Sequence, residues 1–452
     1  MDTHDNAAAP EGVTLRAAFW YWLKLGFISF GGPAGQISMM HHDLVEKKRW
    51  ISETRFLHAL NYCMVLPGPE ATQLATYIGW MMHRTTGGIL AGTLFVLPSL
   101  FILIGLAWVY MAFGTVPAVA GVLYGIKPAV TAIVVFAAYR IGSRALKNGA
   151  LWSIAAAAFI AIFGFDVPFP YIVIAAALIG YVGGRVSPEK FATGGGHAGA
   201  GTSYGPAIID DHTPVPPHAL FTWGRVARVG IAGLLLWASV MGGLIAIYGW
   251  ESTLAQMAWF FTKAALLTFG GAYAVLPYVF QGGVEDYQWL SASQMIDGLA
   301  LGETTPGPLI MIVTFIGFVG GWNLQLFGPD NLFAAGAIAG IVVTYFTFLP
   351  SFLFIFLGAP LIETTHGNLK FTAPLTGITA AVVGVILNLA VFFAYHVLWP
   401  QGFDGRFEWL SAVLGIAAFI ALWRYAVGII PVIAASGLLG LVYTLARPAV
   451  GG

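Results

Sequence analysis

The amino-acid sequence predicts an all-α polytopic membrane protein made of two tandem homologous halves in inverted topology, each with broken or re-entrant helices. Three observations predict it. Apolar residues make up 58% of the chain and charged residues 9%, against about 45 to 50% and about 25% in soluble domains. Phe30-Gly31-Gly32 returns as Phe269-Gly270-Gly271, and Pro67-Gly68-Pro69 as Pro306-Gly307-Pro308, both 239 residues on. An apolar segment over Val226 to Tyr248 has no counterpart in the first copy, and one extra helix between copies of even crossing number turns the second upside down.

The duplication is read in register. At the 239-residue offset Lys24, Trp50, Ser52 and Leu60 fall on Lys263, Trp289, Ser291 and Leu299, a periodic self-match of the kind that marks internal repeats. Past the Pro-Gly-Pro the offset becomes 238, with Ile78-Gly79 on Ile316-Gly317, and then 252, with Leu97-Pro98-Ser99 on Leu349-Pro350-Ser351 and Gly125-Ile126 on Gly377-Ile378. An insertion near Asn323 to Leu332 explains the slip, and Trp152 on Trp409 carries the match close to the end of each half.

Taken in order, Met1 to Gly12 carries Asp2, Asp5 and Glu11 and no basic run before an apolar stretch, so no cleavable signal peptide is expected. The apolar segment Arg16 to Met40 is interrupted at Gly31-Gly32-Pro33, and Phe56 to Met82 at Pro67-Gly68-Pro69, where helices cannot continue. Broken backbone at membrane depth survives only inside protein or beside a watered cavity, so both breaks are expected to face the interior. Spans follow at Gly88 to Ala112 and Val116 to Tyr139, then shorter helices at Ala150 to Phe163 and Pro168 to Gly184. The Gly-, Pro- and His-rich stretch to Trp223 reads as a flexible linker; its His197, His212 and His218 match no metal-ligand spacing. The division is a first repeat over 1–186, a flexible cytoplasmic linker over 187–223, a connecting transmembrane helix over 224–249 and an inverted second repeat over 250–452.

If the broken segments are hairpins that return to the side they entered, the chain has nine spans and four re-entrant hairpins, N-terminus inside and C-terminus outside. Fifteen Lys and Arg residues then lie on one side and two, Arg406 and Arg447, on the other, as the positive-inside rule requires. Full spans in place of hairpins would raise the count to as many as thirteen. The loop after the first Gly-Gly carries Lys47-Lys48-Arg49 and its counterpart Glu285-Asp286, so equivalent loops are expected on opposite faces.

The net charge is zero and no basic cluster is dense enough for nucleic acid. The one cysteine, Cys63, excludes an intramolecular disulfide and a cysteine-rich metal site, and a lone cysteine usually packs as a small hydrophobe. No metal or cofactor is expected, and whether two copies pair as a homodimer is left open. His-Glu-x-x-His and Gly-x-Ser-x-Gly are absent, which argues against a membrane-embedded enzyme.

Lys24, Lys127 and Lys263 sit in no loop, and an ammonium in apolar surroundings usually faces the interior and serves a function. Lys24 and Lys263 each precede a Phe-Gly-Gly by six residues, near half-helix ends whose free amides favour an anion. With Gly31, Gly32, Gly270 and Gly271, and with Pro67, Gly68, Pro69, Pro306, Gly307 and Pro308, they outline a pocket for a compact, doubly charged anion. The alternative is lysines that snorkel to an interface and glycines that only allow close packing. Around the second break the copies differ: His58, Asn61, Glu70 and Gln73 in the first, Asp297, Glu303, Thr304 and Thr305 in the second. Asn61, Thr304 and Thr305 are candidate donors to oxyanion oxygens. Glu70, Glu303, His58, Asp297 and Lys127 are candidates for coupling or gating, the carboxylates as lysine partners or proton carriers; tying down loop backbone is the plainer role. Trp20, Trp22, Trp50 and Trp289 are expected in the interfacial aromatic belt.

Leu25-Gly26-Phe27-Ile28-Ser29-Phe30-Gly31-Gly32-Pro33, Trp50-Ile51-Ser52, Pro67-Gly68-Pro69 and Leu267-Thr268-Phe269-Gly270-Gly271-Ala272-Tyr273-Ala274-Val275 resemble the chromate ion transporter family in its long-chain, two-domain form, over roughly residues 16 to 184 and 250 to 446. The resemblance implies a bacterial inner-membrane protein that exports chromate and confers resistance to it, with sulfate as the competitor of similar shape and charge and the lipid bilayer as its surroundings. A transporter or channel for sulfate or another small oxyanion is the alternative. An inside-negative potential favours outward movement by about 2.3 kcal/mol per negative charge per 100 mV, twice that for a dianion, and the chain has no phosphate-binding loop for ATP.

Overall fold

The computed structural model describes residue 10 and residues 12–191, 204–211, 213–214, 216–365 and 372–446. In the first half α1 (Leu15–Ile28) ends at the Gly-Gly break and α2 (Gly32–His41) leaves it, running into a π-helical turn, His42–Lys47. Next come α3 (Glu53–Val65), α4 (Glu70–Phe113), α5 (Pro117–Ala145), α6 (Gly149–Phe165), α7 (Phe169–Val186) and the short α8 (Pro188–Phe191). After α9 (Trp223–Tyr248) the series repeats: α10 (Thr253–Leu267), α11 (Ala272–Phe280) with a π turn at Gln281–Asp286, α12 (Ala292–Thr304), α13 (Ile312–Asn323) after a 3-10 turn at Leu309–Met311, α14 (Leu332–Thr365), α15 (Thr372–Leu398), α16 (Trp409–Arg424) and α17 (Ile429–Ala446). Even the caps repeat: Ser52 and Ser291 accept from the amides of Arg55 and Gln294 three residues on, supplying one orphan donor of each helix start with a partner.

Seven helices are long and apolar enough to cross a membrane, among the described residues: α4, α5, α7, α9, α14, α15 and α17. Shorter apolar helices are α6, α16 and Leu309–Asn323, which includes α13. The 44 residues of α4 are two antiparallel arms, because His83 (φ −135°, ψ 32°) and Arg84 (φ 58°, ψ −158°) reverse the chain. The arms touch through Gly79 and Gly87, small residues that let helix backbones approach. In the second half α13 and α14 form the same hairpin, with Gly317 against Ala339, but turn through residues 324–331. That longer turn is the insertion that shifts the sequence register.

The halves are antiparallel to one another. The first arm of α4 ends near α1, where His83 Nε2 lies 2.7 Å from the Val13 carbonyl, on the face that carries Lys47, Lys48 and Arg49. The second arm runs away from this basic face to meet α12 and α14, through Gln294 and Met111 and through the Trp108 and Phe333 rings. α14 runs the other way, from Phe333 to Glu363, which Arg55 holds at the basic face. Equivalent helices thus point in opposite directions. Packing crosses over accordingly: α5 lies against α17 and α7 against α15, α6 against α15 and α16 against α5. α9 stands apart, with 11% of its apolar window buried.

The described residues of the linker C-terminal to position 203 dock on the first half. Ile51 and Ile209 form a parallel bridge, flanked by Ile208 N to Arg49 O and Ser52 N to Ile209 O, at 3.0 and 2.9 Å. Ser52 Oγ donates to Asp211, and His218 Nε2 lies 2.9 Å from the Trp80 carbonyl, its ring edge-on to the indole. Residues 204–211, 213–214 and 216–222 therefore form a strap across the basic face of the first half. His197 and His212 lie outside the described residues.

Trp22, Trp50 and Trp289 are also displaced from expectation. They are 1%, 6% and 1% exposed, so they fill the protein interior rather than the interfacial belt; Trp289 stacks on Tyr287 at 4.7 Å between centroids. Trp20 is exposed.

Candidate functional site

The two breaks of each half do not close on themselves. Gly68 N, in the first Pro-Gly-Pro, donates to Thr268 O just before the second Phe-Gly-Gly, at 2.7 Å. Gly307 N, in the second Pro-Gly-Pro, donates to Ser29 O just before the first Phe-Gly-Gly, at 2.8 Å. Gly68 and Gly307 are repeat mates, as are Ser29 and Thr268, so the pair of bonds marks the pseudo-two-fold axis. Helix breaks leave amides and carbonyls without intrahelical partners, and here each half satisfies those of the other.

The turns demand glycine. Gly68 has φ +128° and Gly307 +103°, which residues with a Cβ rarely adopt. Neighbours close the space as well: a Cβ on Gly307 would sit 1.8 Å from Ser99 Oγ, and one on Gly68 2.4 Å from Ser351 Oγ and 2.7 Å from Gln73 Nε2. Ser99 and Ser351 are again repeat mates, each on the axial helix of the opposite half.

Symmetry fails in the side chains, and the failure leaves free hydroxyls. Ser99 Oγ donates to Pro306 O. The equivalent acceptor for Ser351 is Pro67 O, but Gln73 Nε2 already donates to it at 2.8 Å, and buried Ser351 Oγ has no partner. In the second copy Gln73 is replaced by the apolar pair Met311-Ile312. Thr268 Oγ1 donates to Ala264 O at 2.7 Å, whereas Ser29 Oγ, also buried, is unpaired. Gln36 Nε2 bridges Ser29 O, at 3.2 Å, and Gly307 O, leaving its Oε1 and that of Gln73 without partners. Buried polar groups are nearly always paired, and the unpaired ones flanking the two crossed turns, the hydroxyls of Ser29 and Ser351 and the carboxamide oxygens of Gln36 and Gln73, make up a candidate cradle.

Of the residues singled out in the sequence, Pro67, Gly68, Pro306 and Gly307 build this cradle, with Pro69 and Pro308 capping the helices that leave it. Gly31, Gly32, Gly270 and Gly271 all have positive φ and form the facing breaks. Thr304 and Thr305 do not offer their protons: Thr304 Oγ1 bonds to Ala300 O and Leu301 O, and Thr305 Oγ1 to Leu301 O at 2.6 Å. A hydroxyl has one proton to donate, so they close the last turn of α12. Lys24 is exposed on α1 and lies off the buried stripe Ala18, Tyr21, Trp22, Leu25 and Gly26, in place of the interior position expected. Lys263 is half-buried, its Nζ 5.9 Å from the ring centroids of Trp259 and Phe260.

Two of the acids have partners other than Lys24 or Lys263. Glu303, 6% exposed, accepts from Tyr273. Asp297, 2% exposed, lies 3.4 Å from Lys127 Nζ and accepts from Tyr110 OH at 3.0 Å. Glu70 opens α4 at the Pro-Gly-Pro. Asn61 and His58 are half-buried on α3, His58 at the position equivalent to Asp297. Cys63 is fully buried. Among the described residues no group of three or more His, Cys, Asp or Glu side chains could hold a metal ion. Ser29, Gln36, Ser99 and Ser351 were not singled out in the sequence; Gln36 falls on Val275, and a lone amide beside a break was the signal available.

Two surface pockets lie elsewhere. One, lined by Glu53, Tyr204, Asp210 and Asp211, separates the strap from α3, and the other, lined by Asp166, Gln281, Glu285 and Asn388, opens on the opposite face. In the latter, burial pushes the Glu285 carboxyl up, with Asp286 and Asp166 adding to it. Neither includes a cradle residue.

The chain is matched by the chromate transporter family model over residues 16–181 and 255–441. It is similar to the chromate transport protein of Pseudomonas aeruginosa, 32% identical over 440 residues that cover 96% of this chain and 93% of the relative. It is also similar to the chromate transport protein of Cupriavidus metallidurans, 31% identical over 384 residues that cover 84% and 83%, and to a probable chromate transport protein of Synechococcus elongatus, 29% identical over 413 residues that cover 91% and 90%. No solved structure matches it.

Proposed function

The chain belongs to the chromate transporter family, and from that premise we propose that it exports chromate across the bacterial inner membrane as a secondary transporter, binding the oxyanion in the cradle between its crossed breaks. The basic face is then the cytoplasmic one, by the positive-inside rule, and export lowers cytoplasmic chromate and confers resistance. The observation that carries this reading is the pair of unpartnered, buried hydroxyls, Ser29 and Ser351, beside two Pro-Gly-Pro turns at the centre of an inverted repeat, where transporters of this architecture bind substrate. Each hydroxyl has a proton free for a tetrahedral oxyanion. Among the described residues no cation is part of the cradle, so Lys24 and Lys263, six residues before each break, serve to draw anions to its approaches. Outward movement of a dianion gains about 4.6 kcal/mol at 100 mV from the potential alone.

The test is uptake of labelled chromate into everted membrane vesicles containing the chain, with sulfate as competitor and an uncoupler as control. Saturable, sulfate-sensitive uptake that collapses with the uncoupler is expected. Uptake of sulfate or another oxyanion without chromate would overturn the substrate and keep the cradle; no movement of any oxyanion would overturn the transport reading.

A further inference from the structure

At each of the two faces a buried carboxylate of the second half is held by a cation and a tyrosine of the first. On the basic face, Glu363 of α14 lies 2.6 Å from Arg55 of α3 and accepts from Tyr77 of α4. On the opposite face, Asp297 of α12 lies 3.4 Å from Lys127 of α5, whose Nζ also donates to Ser293 Oγ at 2.6 Å, and accepts from Tyr110 at the far end of α4. The side chains of Glu363 and Asp297 are 1% and 3% exposed.

The duplication did not produce these networks. Arg55 falls on Gln294, Tyr77 on Phe315, Glu363 on Met111, Asp297 on His58 and Lys127 on Thr379. Gln294 and Met111 still touch, at 3.9 Å, but carry no charge. Each face therefore has its own latch, built from different positions. Both latches cross between the halves, and the cradle between them is reached by neither surface pocket.

We propose that Arg55–Glu363–Tyr77 and Lys127–Asp297–Tyr110 are the two gates of the transport cycle, one opened at a time, and that this structure has both closed. The proposal rests on the transport reading above. Alternating access needs contacts between halves that break at one face while the other holds. Ion pairs suit that task, because their loss of attraction on opening is offset by hydration of both charges, whereas an apolar seam has no such compensation. The crossed backbone bonds of Gly68 and Gly307 lie between the latches, where a rocking motion moves atoms least.

The test uses a reporter cysteine, Ser29→Cys in a Cys63→Ser chain, labelled with an impermeant maleimide from each face of sealed vesicles, alongside oxyanion uptake. Glu363→Gln is expected to raise labelling from the basic face at least fivefold and lower it from the other; Asp297→Asn is expected to do the reverse. Charge reversal supplies a second arm that does not depend on a loosened fold: Glu363→Arg should abolish uptake, and Arg55→Glu with Glu363→Arg should restore at least a third of it, with the same pattern for Asp297→Lys and Lys127→Asp. Labelling that rises equally from both faces, or reversal without rescue, overturns the gates. If the parent chain moves chromate while these responses are absent, only the gate proposal falls; if it moves no oxyanion at all, the transport reading falls first.

Discussion

Replacing Gly307 with alanine tests the crossing of the two halves directly. Its φ of +103° imposes roughly 1–3 kcal/mol of backbone strain on a residue with a Cβ. The new methyl would lie 1.8 Å from Ser99 Oγ, so the serine must leave and the buried Pro306 carbonyl loses its donor, a further loss of about 1–3 kcal/mol. The total is roughly 2–6 kcal/mol. Gly270→Ala is the matched control: φ is +80° but the nearest atom, Thr379 Oγ1, is 4.0 Å away, leaving only strain, about 1–3 kcal/mol. Unfolding midpoints in detergent, followed by tryptophan fluorescence and paired with chromate uptake, should rank Gly307→Ala well below Gly270→Ala. Ser99→Ala added to Gly307→Ala should recover little, because it removes the clashing oxygen but also the donor to Pro306 O, and Ser99 Cβ still stands at 3.0 Å. If the two glycine variants unfold alike and both transport, Ser99 does not press on Gly307 and the crossed arrangement is wrong.

Ser29→Ala and Ser351→Ala remove hydroxyls with no partner in the protein, so stability should hold while half-saturation for chromate rises several-fold, about the worth of one hydrogen bond each. Burial holds the His218 imidazole below its ordinary value, with Arg84 and Arg225 adding to it against its bond to Trp80 O. A lowered pKa means that docking of the strap is fully present above the free imidazole value of about 6.5 and weakens as pH falls through the lowered one. Protection factors of the Ile208 and Ile209 amides, with the pH dependence of intrinsic exchange divided out, should therefore fall on acidification, and His218→Gln should flatten the dependence; protection factors that do not change with pH in the parent chain would refute it. Cysteines placed at Lys48 and Tyr287, one at a time, should label from opposite faces of sealed vesicles, and labelling of both from one face would contradict the inversion. Cys63, fully buried, should stay unlabelled until the protein is denatured.

Much of this was legible in the chain. Two Pro-Gly-Pro and two Phe-Gly-Gly signals at one offset disclose both the duplication and where helices break, because proline and glycine act locally. What they do not disclose is that a turn is completed by the other copy: a repeat match says that Gly68 and Gly307 are equivalent, not that each bonds beside the other's Phe-Gly-Gly. Gln36 stayed obscure for the opposite reason, having an apolar mate, Val275, that drops out of any symmetric comparison, while Gln73 is named beside the break without a role. The misplacement of Lys24 was avoidable, since Ala18, Tyr21, Trp22 and Leu25 mark a helical stripe that excludes it. The threonines at the end of α12 follow the back-bonding to preceding carbonyls that such residues favour in helices. The strap was hidden because a Gly- and Pro-rich composition speaks for the segment as a whole, while docking depends on a few residues, Ile208, Ile209, Asp211 and His218.

The reciprocal bonds of Gly68 and Gly307 also bear on how the chain is made. The first half enters the bilayer before the second exists, and the acceptor of Gly68, Thr268, is 200 residues further on. At about 5–20 residues per second the ribosome needs roughly 10 to 40 seconds to deliver it. Throughout that interval the Gly68 amide lacks its protein partner, a condition that hydrocarbon penalises by several kcal/mol. The nascent half must therefore keep its breaks hydrated or borrow lipid headgroups, and it becomes a closed membrane unit only when its upside-down twin arrives to seal it.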